Sequence, residues 1–100
     1  MGTVKLDVFP GIGVGFGGDA GDRLVVDVEA VEGETVRALL GRLAQRVDGF
    51  GDAVFDTETQ ALRQHVSLVY NGRLIELVAG LDTPLNDGDV LTILPAFSGG

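Results

Sequence analysis

Residues able to do chemistry are scarce in this chain, and their spacing decides what is left. The stretch "GVGFGG", residues 13–18, has the form G-x-G-x-x-G. A dinucleotide site needs such a loop to open a helix, whose N-terminus then holds the pyrophosphate. Here the loop opens a strand, and no Gly-Lys-Ser/Thr follows to make a phosphate-cradling loop. His65 is the sole histidine and there are no cysteines, so a zinc site lacks ligands and His65 reads as a structural residue at a strand start. Ser67 and Ser98 have no evident base beside them. Asp82, Asp87 and Asp89 fall in turns, where aspartate caps backbone groups, and their spacing is not that of a calcium loop. What remains is the end of the chain, "LPAFSGG". Ala96, Ser98, Gly99 and Gly100 are small enough to thread a narrow channel, Phe97 could anchor the base of the tail in a partner, and Gly100 offers an α-carboxylate. A carboxylate is a poor electrophile. It becomes reactive once ATP and a second protein turn it into an acyl-adenylate, open to attack by a sulfur donor or an amine.

The elements that must carry this tail follow from periodicity. Val4, Leu6 and Val8 alternate with Lys5 and Asp7, so residues 3–9 read as a half-buried strand. Residues 10–22 hold six glycines and read as a long turn or an irregular strand extension, with Ile12, Val14 and Phe16 facing solvent or a partner. Residues 23–30 return as a strand with Leu24, Val26 and Val28 on one face. Thr35 is a helix N-cap, and Val36, Leu39, Leu40, Leu43 and Val47 make one apolar helical stripe that ends at Asp48-Gly49. Phe50, Val54 and Phe55 suggest a short apolar turn of helix, and "DTETQ" a loop. Residues 65–70 and 73–77 read as strands joined by Asn71-Gly72, a dipeptide that favours the positive-φ hairpin turn. Residues 90–94 are apolar except for Thr92, which suits a central strand. The expected fold is α+β, a mixed sheet of about five strands with one main helix packed across it, over residues 1–94. Residues 95–100 form a flexible tail able to reach roughly 20 Å at ~3.3–3.6 Å per residue.

Composition narrows the partners. With 45% hydrophobic and 22% charged residues the chain is globular. Its net charge of −8 disfavours nucleic acid and fits equally a basic protein partner or solubility alone. No apolar run is long enough to span a bilayer and the N-terminus lacks the pattern of a signal peptide, so the expectation is a cytoplasmic protein, and with no catalytic constellation in sight it is expected not to be an enzyme itself. One lysine, Lys5, stands against six arginines.

The β-β-α-β-β-β order, the segments "VYNGRLI" and "GLDTPLNDGD", and above all the ending "NDGDVLTILPAFSGG" resemble the ubiquitin-like sulfur carriers of the MoaD and ThiS type. The likeness is good over residues 65–100, fair at "ETVRALLGRLA" and weak over 10–22. It implies a β-grasp fold and a carrier that binds no cofactor of its own. A ubiquitin-activating-type adenylyltransferase would use ATP on Gly100, which then becomes a thiocarboxylate. Gly99 and Ser98 would thread the active site and Phe97 would dock. The resemblance further implies a sulfur acceptor such as the large subunit of molybdopterin synthase, in molybdenum cofactor biosynthesis. It is equally compatible with carriers serving thiamin or cysteine synthesis, and with archaeal ubiquitin-like modifiers joined through Gly100 to target lysines. Self-conjugation would be confined to Lys5 or the amino terminus.

Overall fold

Strand β1, Gly2–Val8, points Val4, Leu6 and Val8 inward, and all three are buried. A computed structural model describes residues 2–9, 24–47, 49–64 and 66–95. β1 pairs antiparallel with β2, Leu24–Ala30, from Gly2 opposite Ala30 to Val8 opposite Leu24. On β2 the odd positions Val25, Asp27 and Glu29 are exposed, while Val26 and Val28 pack against the core. The alternation read from sequence is thus the alternation of the sheet.

Helix α1 covers Val36–Arg46, and the Thr35 hydroxyl accepts from the Ala38 amide at 3.2 Å. That cap satisfies one of the amides a helix start leaves without a partner. Val36, Leu39, Leu40 and Leu43 are buried in one core with the inward residues of the sheet. Arg46 in the last turn complements the helix dipole. Gly49, at φ 83, reverses the chain into the short helix α2, Phe50–Ala53. An L side chain rarely adopts that φ, so the glycine is required there. Phe50, Val54 and Phe55 are all fully buried, in keeping with the apolar turn expected.

Residues 55–62 are more ordered than a loop. β3, Phe55–Asp56, and β4, Ala61–Leu62, form a two-residue hairpin with Phe55 opposite Leu62. The Asp56 carboxylate accepts from the Glu58 amide at 2.9 Å and closes the turn. The Glu58 bond first, with the Thr59 amide and the Arg63 guanidinium, outweighs the cost of desolvation and holds the Asp56 carboxyl below the ordinary aspartate value.

β5, Val66–Tyr70, turns through Asn71 (φ 49) and Gly72 (φ 86) into β6. The expected strand over residues 73–77 is cut short. β6 spans only Arg73–Leu74, and Ile75–Leu77 close as a 3₁₀ turn that buries Ile75. A second 3₁₀ turn, Gly80–Asp82, follows. β7, Val90–Pro95, then runs through the middle of the sheet, parallel to β1 and antiparallel to β5. The order β2-β1-β7-β5-β6 places it third of five, the central position expected from its apolar sequence.

Candidate functional site

Everything the sequence assigns to chemistry hangs from β7, so the site is built from what holds that strand. Its start is clamped by polar groups. Asp89 is 8% exposed, and its carboxylate accepts from the Tyr70 hydroxyl at 2.6 Å, the Asn71 side-chain amide at 3.0 Å and the Asn86 backbone amide at 2.7 Å. The Asn71 side-chain oxygen accepts from the Val90 amide at 2.7 Å, and the Asn71 amide donates to the Val90 carbonyl at 2.9 Å. Burial pushes the Asp89 carboxyl up. The bonds from Tyr70, Asn71 and Asn86 outweigh that and hold it below the usual aspartate value. Burial, with the adjacent Asp89 carboxylate, pushes the Tyr70 phenol upward.

The clamp also gathers the start of the chain. The Asp89 carbonyl accepts from the Lys5 amide at 2.9 Å, the Gly88 amide donates to the Thr3 carbonyl at 2.9 Å, and the Asp87 carboxylate takes the Thr3 amide at 2.9 Å. A Cβ on Gly2 would lie 2.9 Å from the Asp87 backbone, so this approach depends on glycine.

The exit of β7 is held differently. Ile93 is fully buried, its carbonyl accepts from the Phe9 amide at 2.9 Å, and Pro95 lies opposite Val66. Proline brings no amide to the ladder, so regular pairing ends there. Because β1 runs parallel to β7, the end of β1 and the start of β2 lie at this same end of the sheet. The expected tail residues Phe97, Ser98, Gly99 and Gly100 lie outside the described residues. So do His65 and the glycine stretch 10–22 with Ile12, Val14 and Phe16.

The sheet face turned away from α1 is exposed at its edges and half-buried to buried along its middle. One register row crosses it through Leu74, Val69, Thr92, Asp7 and Val25, one residue from each strand. Leu74 is 46% and Val25 48% exposed at its two edges, while Asp7 in the middle is only 7% exposed. Ser67 opposite Leu94 forms the next row toward the exit. Past β6, Leu77 is 75% exposed and extends the apolar edge. This face leads toward Pro95, and its exposed part is mixed: apolar at Leu74 and Val25, charged at Lys5, Asp27 and Glu29, with Asp7 buried between them.

Among the described residues, no three His, Asp or Glu side chains converge to hold a metal ion. Nor is any described helix long and apolar enough to cross a membrane. Sequence reasoning placed Asp89 in a turn and missed its role as the acceptor that joins three chain segments. The visible signal was a tyrosine directly before Asn-Gly, with Asn86 and Asp89 directly before the last strand.

The profile of the ThiS family matches residues 21–100. The sulfur carrier protein CysO of Mycobacterium tuberculosis is 31% identical over 72 residues, 71% of this chain and 77% of that protein. Small archaeal modifier protein 3 of Haloferax volcanii is 31% identical over 75 residues, 75% of each chain. Among solved structures, a putative molybdopterin converting factor subunit 1 from Pyrococcus furiosus superposes with a TM-score of 0.68 at 26% identity, over 97% of this chain and 100% of that one. A chain of the BexX/CysO complex of Amycolatopsis orientalis superposes with a TM-score of 0.63 at 28% identity, over 97% and 99%. The mixed five-stranded sheet with one main helix is the β-grasp, ubiquitin-like fold these neighbours share.

Proposed function

The chain belongs to the ThiS family, whose members are small sulfur carriers and ubiquitin-like modifiers, and from that premise we propose that its Gly100 is the group other enzymes work on. In this reading an adenylating enzyme of the ubiquitin-activating type joins AMP from ATP to the Gly100 carboxylate. Sulfur then replaces one oxygen, and the resulting thiocarboxylate donates that sulfur to an acceptor enzyme in the cytoplasm. The chain is a co-substrate and its fold is a handle. Gly99 and Ser98 pass into the partner's channel and Phe97 seats at its mouth.

The observation that carries the reading is the family match, which runs through the central strand to Gly100. Geometry adds support. β7 is clamped at its start and anchored in the core by Leu91 and Ile93, so a partner that docks on the opposite face finds the base of the tail at a fixed place. For the acceptor, we propose the large subunit of molybdopterin synthase, supported by the likeness to a putative molybdopterin converting factor subunit.

Incubation with the adenylating enzyme, ATP and a sulfur donor, followed by intact mass, tests the carrier step. The expected product is heavier by the difference between sulfur and oxygen. An unchanged mass with every cognate adenylating enzyme would sink the reading. Supplying the thiocarboxylate form to the synthase large subunit and assaying molybdopterin then tests the acceptor.

A second reading has its own support in the 31% identity to an archaeal modifier protein. The same adenylate, attacked by a lysine of another protein, leaves the chain attached by an isopeptide bond. Both readings share activation and differ in the nucleophile. Mass spectrometry of cellular proteins for lysines carrying the tail separates them.

A further inference from the structure

If the chain acts as a modifier, one amine must receive the acyl group when the target is another copy of this chain, and the choice of that amine rests on the modifier reading. A guanidinium keeps its proton at any pH a protein meets, whereas an ammonium can lose one and become a nucleophile. With one lysine against six arginines, Lys5 is the only side-chain amine that can attack. Its surroundings leave it available. Arg37 pairs with Asp82, Arg42 with Glu34 and Arg63 with Asp56. No described carboxylate lies within ion-pair distance of the Lys5 ammonium. Its backbone is held in the β1–β7 ladder, the amide donating to the Asp89 carbonyl. The side chain is exposed on the face turned away from α1, with Asp27 opposite on β2 and Val90 opposite on β7. A long side chain on a strand stands off the sheet, which holds this amine clear of the backbone.

Lys5 is level with the first residue of β7, and the tail leaves after the last, Pro95. At ~3.3 Å per residue the acceptor amine and the point where the tail departs are about 17 Å apart along the strands. We propose that Lys5 is the acceptor for the activated Gly100 of a second copy, so that conjugates of the chain with itself are head-to-tail, unbranched and linked only through Lys5. One donor and one lysine acceptor per copy make the contact heterologous, which extends into a chain unless the geometry closes it into a ring. A single lysine forbids a branch.

The step balances simply. The Lys5 ε-nitrogen, having passed a proton to solvent, attacks the carbonyl carbon of the Gly100 acyl-adenylate. A C–N bond forms, the C–O bond to phosphate breaks, and AMP leaves with the electron pair. ATP, spent by the adenylating enzyme, is the only co-reactant, and nothing is oxidised or reduced.

The test incubates the purified chain with its adenylating enzyme and ATP but no sulfur donor, and follows pyrophosphate exchange, the ladder of covalent multimers and the linkage peptide. No lysine or arginine lies between Arg73 and Gly100, so trypsin leaves a long branch beginning at Leu74. Cleavage after Phe97 by chymotrypsin leaves Ser-Gly-Gly on the modified lysine. The expected result is a ladder carrying that remnant on Lys5. Lys5→Arg should form no multimers alone, yet still be consumed as donor onto the wild-type chain, which shows that it folds and is activated. A ladder that persists in Lys5→Arg alone overturns the proposal in favour of the amino terminus. A monomer lighter by one water overturns it in favour of the chain's own tail. Exchange without any ladder overturns the Lys5 proposal while leaving adenylation standing, and absence of exchange overturns both.

Discussion

The two ends of β7 are held by opposite means. At its start, Asp89 collects donors from Tyr70, Asn71 and Asn86, and the turn before the strand takes the Thr3 amide. At its exit, backbone pairing to Phe9 and an apolar neighbourhood around Ile93 bring the strand to a proline where the ladder stops. A polar clamp specifies one geometry, because each donor lost leaves another buried group unsatisfied. An apolar exit tolerates small side-chain changes, because beyond the backbone ladder its packing has no preferred direction. The contrast suits a strand whose position is set at one end and which, on the proposed function, hands its chain to a partner at the other.

The sharpest way to break that contrast is at the handed-over end. Removing Gly99 and Gly100 should abolish adenylation and sulfur loading, while urea unfolding shifts by no more than about 0.5 kcal/mol, as for changes outside a core. A fusion after Gly100 should be equally inactive, whereas one before Met1 should load normally by intact mass. The middle of the strand comes next. Leu91→Ala or Ile93→Ala, both at positions buried completely, should cost about 2–5 kcal/mol in chemical denaturation. At the clamped end, Asp89→Ala leaves the Tyr70 hydroxyl and two amides without their acceptor. It should lose about 1–3 kcal/mol and raise the KM for the adenylating enzyme more than it lowers kcat.

The clamp also has a pH signature. Asp89 sits below the ordinary aspartate value of 3.8 when folded, so its contribution is present above that value and disappears as pH falls through the lower, folded one. Wild type should therefore lose stability on acidification that Asp89→Asn lacks from the outset, and the two denaturation midpoints should converge at low pH. Smallest of all, Leu77→Ser at an edge residue 75% exposed should leave stability within about 0.5 kcal/mol. Any larger effect should appear only in the KM for the adenylating enzyme, which would mark that edge as part of the docking face.

Much of the scaffold was legible because it is periodic. The helix showed itself through Val36, Leu39, Leu40 and Leu43, and the hairpin turn through Asn71-Gly72, whose positive φ values the structure confirms. Residues 55–62 were not legible, because two-residue strands are too short to alternate and "DTETQ" carries only turn chemistry. The strand expected over 73–77 stops after Leu74, since Ile75 is drawn into the core and the chain must curl to bury it. The Asp89 clamp escaped for another reason. Tyr70 and Asn71 are 19 and 18 residues away in sequence, and only the register of β5 against β7 brings them together.

The parallel pairing of β1 and β7 has a mechanical consequence. Gly2 lies at one end of that ladder and Pro95 at the other. Force applied between the two ends of the chain therefore pulls the strands past one another along their length. The hydrogen bonds from Lys5 to Phe9 share the load together, in shear, instead of opening one by one like a zip. A pull on the exit of β7 while the start of β1 is fixed therefore loads this whole ladder at once.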